Sequence, residues 1–222
     1  MRFSIACFAI VAFYSTLVSG QPTSIWDILL PSFLLPSASQ TTCKLRVYQD
    51  DKPLGYLSST KNSFGEYGIL QESPSGALSV TFSASRSNSR ELSLRVVEAG
   101  GDISMFGGII GFTTSNDNLA AGSHHYAYIG LTPQTPSGSV PVKGANSFDQ
   151  VQDFERKVQS AIWSYNSATR QFSPQWVNTN MTTPKNYLLY VADEKTLVFT
   201  ADKIEFQKVL NLTSSEVTLH CA

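Results

Sequence analysis

The chain has 222 residues, and its 16 Lys and Arg against 17 Asp and Glu give a net charge of −1. It contains no basic cluster that would neutralise phosphates, which excludes nucleic acid as a partner. Charged residues make up 15% of the chain, against about 25% in ordinary globular proteins. Ser, Thr, Asn and Gln must therefore supply much of the polar surface.

The first twenty residues have the pattern of a secretory signal peptide. Arg2 is followed by an uncharged, largely apolar run over residues 3–18, and then by Ser19 and Gly20. We expect cleavage after Gly20 and a secreted, extracellular protein. An uncleaved anchor is the alternative, but no basic stop-transfer flank follows. No later apolar run reaches the length of about 20 residues that a membrane span needs, so none is predicted after cleavage.

Residues 21–42 form a leader or linker that is rich in Pro and Ser. Pro31 and Pro36 interrupt its apolar patches, so no long helix fits there. A propeptide is the other interpretation of this segment, although no dibasic cleavage site follows it. Residues 43–222 are predicted to form a single β domain.

Several segments after Cys43 alternate between apolar and polar side chains, including residues 45–48, 78–83 and 92–97. This period of two is typical of half-buried antiparallel strands. Turn residues separate the segments at spacings of about a dozen positions, as in sandwiches and barrels. The sequence predicts an all-β fold, a mainly antiparallel sandwich or barrel-like structure with at most one or two short helices.

Three segments in the second half of the chain carry more specific signals. Residues 131–147 hold three Pro and two Gly, which predicts an extended surface loop. Residues 149–160 fit a short helix or a strand, and the pattern does not choose between them. Asp202 and Glu205 have the spacing of a capping box, which predicts a helix over residues 203–210.

The cysteines and two sequons predict covalent modifications. Cys7 leaves with the signal peptide, so Cys43 and Cys221 remain. An even pair in an oxidising compartment predicts one disulfide, with two unpaired thiols as the alternative. Asn180 and Asn211 each begin an Asn-x-Thr sequon in polar surroundings, which predicts N-glycosylation at both.

Patterns that would indicate catalysis or metal binding are largely missing from the sequence. His124 and His125 are neighbours, so on a predicted strand their side chains point to opposite faces and cannot ligate one metal. HExxH, CxxC and nucleophile-elbow motifs do not occur. We predict no metal site, no cofactor and no catalytic residue. Glycoside hydrolysis needs two carboxylates, and the candidates are Asp149, Asp153, Glu155, Asp193 and Glu194. Surface charge is the default role of these residues.

Residues 161–182 predict a hairpin rich in aromatic side chains. Trp163 and Tyr165 share one face of the first strand, and Phe172 and Trp176 share a face of the second. One interpretation is an exposed platform on which a sugar ring stacks; the other is that these rings fill the core, which large aromatics usually do. The candidate ligand-binding residues are Trp163, Tyr165, Gln175, Trp176 and Asn178.

Four motifs in and before the hairpin resemble those of a group of known proteins. The motifs IWS at 162–164 and PQWVN at 174–178, with GSxxYxYIG at 122–130 and TxQTPxGS at 132–139, resemble uncharacterised secreted fungal β-rich proteins. The similarity covers most of the chain after Cys43. No activity is established for that group, so the resemblance implies a secreted glycoprotein of fungal type and no catalytic residues.

These observations together predict a secreted, non-catalytic β-rich glycoprotein. We expect it to have a structural or interaction role in the extracellular or cell-wall space. Its partner would be an extracellular glycan or another cell-wall component. A carbohydrate-binding module that uses the aromatic hairpin is the first alternative. A glycoside hydrolase or other secreted hydrolase is the second.

Overall fold

The computed structural model describes residues 40–84 and 89–222, and nearly all regular structure in these ranges is β-strand. The fifteen described strands pair antiparallel throughout, and the described helices are two short ones, α1 (Asp149–Gln152) and α2 (Lys203–Leu210). The predicted fold class is thereby confirmed. The strands are β1 (Gln40–Gln49), β2 (Lys52–Leu57), β3 (Leu70–Gln71), β4 (Ser79–Ser83), β5 (Arg95–Val96), β6 (Met105–Ile110), β7 (Tyr126–Thr132), β8 (Val142–Lys143), β9 (Lys157–Gln159), β10 (Trp163–Asn166), β11 (Gln171–Pro174), β12 (Tyr187–Val191), β13 (Thr196–Thr200), β14 (Ser215–Glu216) and β15 (Thr218–Cys221).

The predicted signal peptide and nearly all of the predicted leader lie outside the described residues. Strand β1 begins at Gln40, three positions before the predicted start of the β domain. In residues 40–84 and 89–222, neither helix is long and apolar enough to cross a membrane.

The strands form one strongly curled sheet. Hydrogen-bonded neighbours follow the order β10-β11-β15-β1-β4-β5-β6-β7-β13-β12-β14, with β2, β3, β8 and β9 branching from this path. The path curls into a half-barrel. Strand β10, at the start of this path, also pairs with the segment just before β5. There Leu92 and Trp163 exchange backbone hydrogen bonds of 2.7 and 3.2 Å. The curl lets one face of many strands enclose a common core.

The strands in the middle of the sheet are buried on both faces. Because side chains alternate along a strand, Ala127 and Ile129 of β7 point into the large inner core, and Tyr126 and Tyr128 point away from it. A second, smaller cluster covers that outer face and includes Phe206 of α2. The sheet is thus packed in two layers, and the outer layer forms the candidate site described below.

Gly108 in β6 lets two large rings of the inner core pack directly against the strand backbone. A Cβ atom on Gly108 would lie 2.8 Å from the Phe199 ring and 3.1 Å from the Trp176 indole. No side chain fits in that space without displacing the core. The FGGIIG stretch is therefore a packing feature of the sheet.

Some predicted segments differ from the structure for a physical reason. Of the expected strand over residues 92–97, only β5 is assigned, because the segment changes partners: Leu92 pairs with Trp163, and Arg95–Val96 pair with β4 and β6. Residues 149–160 contain both predicted states, α1 and then β9. The loop over residues 131–147 begins within β7 and includes β8.

Helix α2 begins as the sequence predicts. Asp202 is its N-cap, and the Asp202 side chain accepts hydrogen bonds of 3.1 Å from the backbone N–H groups of Ile204 and Glu205. The helix ends at Leu210, and its C-cap Asn211 has a left-handed backbone, φ 52°, which asparagine tolerates. Phe206 is the buried residue of this helix and packs on Tyr126 at 5.1 Å.

The predicted disulfide is present. Cys43 and Cys221 are bonded, with their Cα atoms 5.4 Å apart and a sequence separation of 178 residues. The bond joins β1 to β15, which also pair along four residues. In the chain-entropy model, a disulfide that closes a loop this long stabilises the fold by roughly 5 kcal/mol. Measured values are often smaller.

We expect the double variant Cys43→Ser, Cys221→Ser to lower the free energy of unfolding by roughly 2–5 kcal/mol, because the unfolded chain regains the entropy of the open loop. Urea denaturation of the two proteins under non-reducing conditions measures the difference. Equal stability of the two would show that the bond does not restrain the unfolded chain.

Candidate functional site

The predicted aromatic hairpin exists, but its tryptophans are part of the core. Strands β10 and β11 pair with Trp163 opposite Pro174 and Tyr165 opposite Phe172. Trp163 and Trp176 are both 0% exposed. Their indole N–H groups donate to the carbonyls of Phe106 at 2.6 Å and Asp117 at 2.9 Å. Neither indole face is available to a sugar, so the hairpin lacks the exposed platform that its sequence suggested.

The remaining candidate residues of this region do not converge on one surface. Tyr165 is half-buried against Phe82 and Phe172. Asn178 is buried and acts as a clamp, because its side chain accepts from Leu119 N at 2.8 Å and donates to Leu119 O at 2.9 Å. Gln175, three positions earlier, is half-buried. These contacts give Asn178 a structural role.

A polar groove of about 760 Å³ runs beside the hairpin. Small polar side chains dominate its lining, and Tyr165 is its one aromatic ring among the described residues. Ala84 and Ser89 also line it, so it adjoins residues 85–88, which lie outside the described ranges.

Both sequon asparagines are exposed. The Asn180 side chain accepts hydrogen bonds from the backbone N–H and the hydroxyl of Thr182, at 3.1 and 2.7 Å. Asn211 is the C-cap of α2. N-glycosylation at these positions stays a prediction.

The two adjacent histidines lie in the loop before β7 rather than on the strand. His125 is buried, and its ring bonds to the Ser115 hydroxyl and to the Asn118 carbonyl, both at 3.0 Å. Within residues 40–84 and 89–222, no group of three or more His, Cys, Asp or Glu side chains is placed to hold a metal ion.

A different site lies on the outer face of the central sheet. There a cavity of about 230 Å³ opens over β7, between the loop before β3, the chain after β6, the α1 region and the turn that joins β12 to β13. We call it the tyrosine groove. Its lining residues are Phe64, Glu66, Phe112, Tyr128, Phe148, Gln152 and Glu194.

The tyrosine groove adjoins a second cavity of similar size, also about 230 Å³, and the two share Phe112, Tyr128 and Glu194 in their linings. The second cavity reaches α2, and apolar side chains line most of it. Tyr126 also lines the second cavity, and its hydroxyl is 2.8 Å from that of Tyr128. Burial raises the pKa of both tyrosines, so they remain neutral hydroxyl groups.

Two glycines let the segment that carries Glu66 pack directly against the backbone of neighbouring segments. Gly65 has φ +80°, and a Cβ there would lie 2.0 Å from the Ser147 carbonyl oxygen. A Cβ on Gly68 would lie 2.3 Å from Thr196 Cα. Tyr67, between them, donates its N–H to Ile129 O at 2.9 Å and accepts from Leu197 N at 2.8 Å. The segment thus joins β7 and β13 at the floor of the groove.

Asn62 fixes the position of Glu66. Its side-chain oxygen accepts from Glu66 N at 3.0 Å, and its amide nitrogen donates to the Glu66 carboxyl at 3.2 Å and to Glu194 O at 3.1 Å. One asparagine therefore ties together both carboxylate-bearing segments of the groove. Glu66 itself is 1% exposed.

Burial raises the pKa of the Glu66 carboxyl from its ordinary 4.5 to about 7. Hydrogen bonds from Thr196 and Asn62 act in the opposite direction, and the negative charge of Glu194 adds to the increase. Between about pH 4.5 and 7 this carboxyl holds a proton that an exposed glutamate would have lost. A buried acid with a perturbed pKa in a cleft is a candidate functional group.

The rim of the groove exposes aromatic rings. Phe64 is 41% exposed and Phe112 52%, and Phe112 packs edge-on against the exposed Phe154 at 5.2 Å. The Arg156 guanidinium covers Phe154 at 4.4 Å and donates to the Phe112 carbonyl. Clustered exposed rings beside a cavity mark a binding surface more often than scattered ones do.

Of the carboxylates that the sequence suggested for hydrolysis, only Glu194 lines the groove. Asp149 instead holds the α1 loop, accepting from Asn146 Nδ2 at 2.6 Å and from Arg156 N at 3.1 Å. Burial raises the Asp149 pKa to about 6. Sequence reasoning missed Glu66, although a single charge in the otherwise apolar and glycine-rich FGEYGIL was a usable signal.

No family model, no curated protein and no solved structure matches the sequence.

We expect Trp163→Ala to lower the free energy of unfolding by about 3–5 kcal/mol, because it removes a fully buried indole and its hydrogen bond. Met181→Ala, at a 65% exposed position, is the control and should change it by less than about 0.5 kcal/mol. Urea denaturation measures both. An unchanged stability in Trp163→Ala would mean that the indole is at the surface after all.

Glu66 should make stability depend on pH. Between about pH 4.5 and 7 the folded chain keeps the Glu66 proton and the unfolded chain does not, so stability falls as pH rises through that window. Relative to Glu66→Gln, the wild type should lose about 3 kcal/mol between pH 4 and pH 8. Urea denaturation of both proteins at the two pH values gives the difference, in which contributions from Asp149 cancel. A pH-independent difference would refute the raised pKa.

Proposed function

We propose that this protein is a secreted β-rich glycoprotein whose non-catalytic role is to bind a small ligand in the tyrosine groove. The observation that carries the proposal is the lining of that groove, where four aromatic rings and two carboxyl groups surround one cavity. Ligand sites are typically concave and mostly apolar, with a few polar groups that fix the ligand's orientation. The groove has that composition.

The energetics of the rim support a binding role. Phe64 and Phe112 leave much of their ring area in water, and covering apolar area is worth about 25 cal/mol per Å². A ligand seated in the groove would cover these rings and gain that energy. The buried carboxyl of Glu66 and the hydroxyl of Tyr128 supply directional contacts in the same cavity.

Secretion is supported by the signal-like N-terminus and by the disulfide, since such bonds persist mainly in oxidising compartments. The exposed sequons at Asn180 and Asn211 agree with a glycoprotein. The resemblance to secreted fungal proteins points the same way and remains a prediction. An extracellular glycan stays among the ligands to test, now at the groove, because the hairpin tryptophans are buried.

Glycoside hydrolysis is the second candidate, and one observation favours it. Glu66, with its pKa raised to about 7, shares the cavity with the exposed Glu194. Glycosidases use one carboxylic acid that keeps its proton near neutral pH together with a second carboxylate. Turnover of aryl glycosides that is lost in both Glu66→Gln and Glu194→Gln would favour this candidate over binding alone.

The binding proposal is tested by thermal unfolding in the presence of a panel of neutral sugars, organic ammonium ions, carboxylates and small aromatic molecules. We expect at least one compound to raise the melting temperature of the wild type by several degrees, because a ligand that binds only the folded state stabilises it. Phe112→Ala should reduce that rise by more than half.

Val97→Ala is the matched control, since Val97 is 53% exposed, as Phe112 is at 52%, but does not line the groove. It should respond to the compound as the wild type does. A panel without any stabilising compound, or equal responses in Phe112→Ala and the wild type, would contradict ligand binding at this site.

A further inference from the structure

The charges that line the tyrosine groove all have one sign. Glu66 and Glu194 contribute carboxyl groups, and no Lys or Arg is among the described residues that line the cavity. The other lining groups are four aromatic rings and the amide of Gln152. An anionic ligand would meet repulsion here, so the occupant is neutral or positively charged.

Glu66 lacks a positive partner. Its carboxyl receives hydrogen bonds from the neutral side chains of Asn62 and Thr196. The titratable groups that act on it or respond to it are Glu194 from the β12–β13 turn and Tyr126 and Tyr128 from β7. No salt bridge to Glu66 is formed within residues 40–84 and 89–222. A buried carboxylate is stable only when a counter-charge or strong hydrogen bonds accompany it.

Arg156, which contacts the rim residue Phe112, and its sequence neighbour Lys157 have other partners. The guanidinium of Arg156 lies over Phe154 and Phe112, at 4.4 and 5.5 Å from the ring centroids, and donates to the Phe112 carbonyl. Lys157 pairs with Asp117 at 2.6 Å. Arg156 and Lys157 line a separate cavity with Asp117, so they leave the charge of the tyrosine groove unbalanced.

We propose that the tyrosine groove binds a small organic ammonium ion, with the rings of Phe64, Phe112, Tyr128 and Phe148 around the cationic head and Glu66 and Glu194 as its counter-charges. This inference rests on the proposed function, because it names the ligand class for the same cavity. Aromatic faces attract cations through their negative quadrupole, and alkylated ammonium groups are recognised by clusters of such rings.

Proton linkage distinguishes a cationic ligand from a neutral one. A cation needs Glu66 ionised, so below the pKa of about 7 its affinity falls about tenfold per pH unit, and above it the affinity levels off. A neutral ligand that accepts a hydrogen bond from the protonated carboxyl shows the opposite trend and weakens above pH 7. The direction of the pH dependence therefore reports the charge of the ligand.

The experiment uses isothermal titration calorimetry of the full chain with choline and with 3,3-dimethylbutan-1-ol, which replaces the ammonium nitrogen of choline by carbon and has nearly the same shape. At pH 8 we expect choline to bind at least tenfold more tightly than the alcohol. Between pH 8 and pH 5.5 the affinity for choline should fall by roughly 30-fold, since most Glu66 is then protonated.

Variants separate the two carboxyl groups. Glu66→Gln should weaken choline binding at pH 8 by at least tenfold and remove the pH dependence. Glu194→Gln should weaken binding but keep the pH dependence, and it serves as the deciding variant if Glu66→Gln does not fold. Circular dichroism of each variant checks that the fold is retained.

Equal affinities for choline and the alcohol, or choline binding that strengthens as pH falls, would overturn the ammonium assignment. A neutral sugar that stabilises the wild type but not Phe112→Ala, with choline inactive, would overturn it and leave the binding function intact. If no compound of any class binds, both the assignment and the proposed function are wrong.

Discussion

Strand β7 is buried along its whole length, and both of its faces are packed. Its small and aliphatic side chains complete the inner core, and Tyr126 and Tyr128 face the outer layer. An outer layer needs its own cover, and in this chain Phe148 at the start of α1, helix α2 and the loop that carries Glu66 contribute to it. Short segments cover a sheet incompletely, and the gap between them is the tyrosine groove. The site is therefore a consequence of how the second face of one strand is covered.

Glu66 makes this outer layer unlike an ordinary core. A carboxyl group among phenylalanine and tyrosine rings lowers the free energy of unfolding at any pH at which it is ionised. An apolar residue at the same position would pack without that cost. Gly65 and Gly68 are both needed to bring Glu66 to its place, because a Cβ at either position would clash with backbone atoms. Gly65, Gly68 and Asn62 thus all serve the position of one acid, and that arrangement supports a role beyond packing.

Much of the fold could be predicted from local patterns. Alternation located β1 and β4, the spacing of Asp202 and Glu205 located α2, and the two remaining cysteines predicted the disulfide. The exposure of the hairpin tryptophans could not be predicted, because a period of two assigns side chains to faces but does not tell which face is covered. Glu66 was missed because its environment comes from residues distant in sequence, such as Phe112, Phe148 and Glu194.

The pairing of β1 with β15 has a consequence for synthesis. Cys43 and Cys221 are 178 residues apart, and a ribosome adds roughly 5–20 residues per second. Strand β1 must therefore wait on the order of ten seconds or more for the partner that completes its side of the sheet. During that time its apolar side chains and unpaired backbone groups can pair with another chain. Shielding of the β1 edge until β15 is made would therefore be expected to limit pairing between chains.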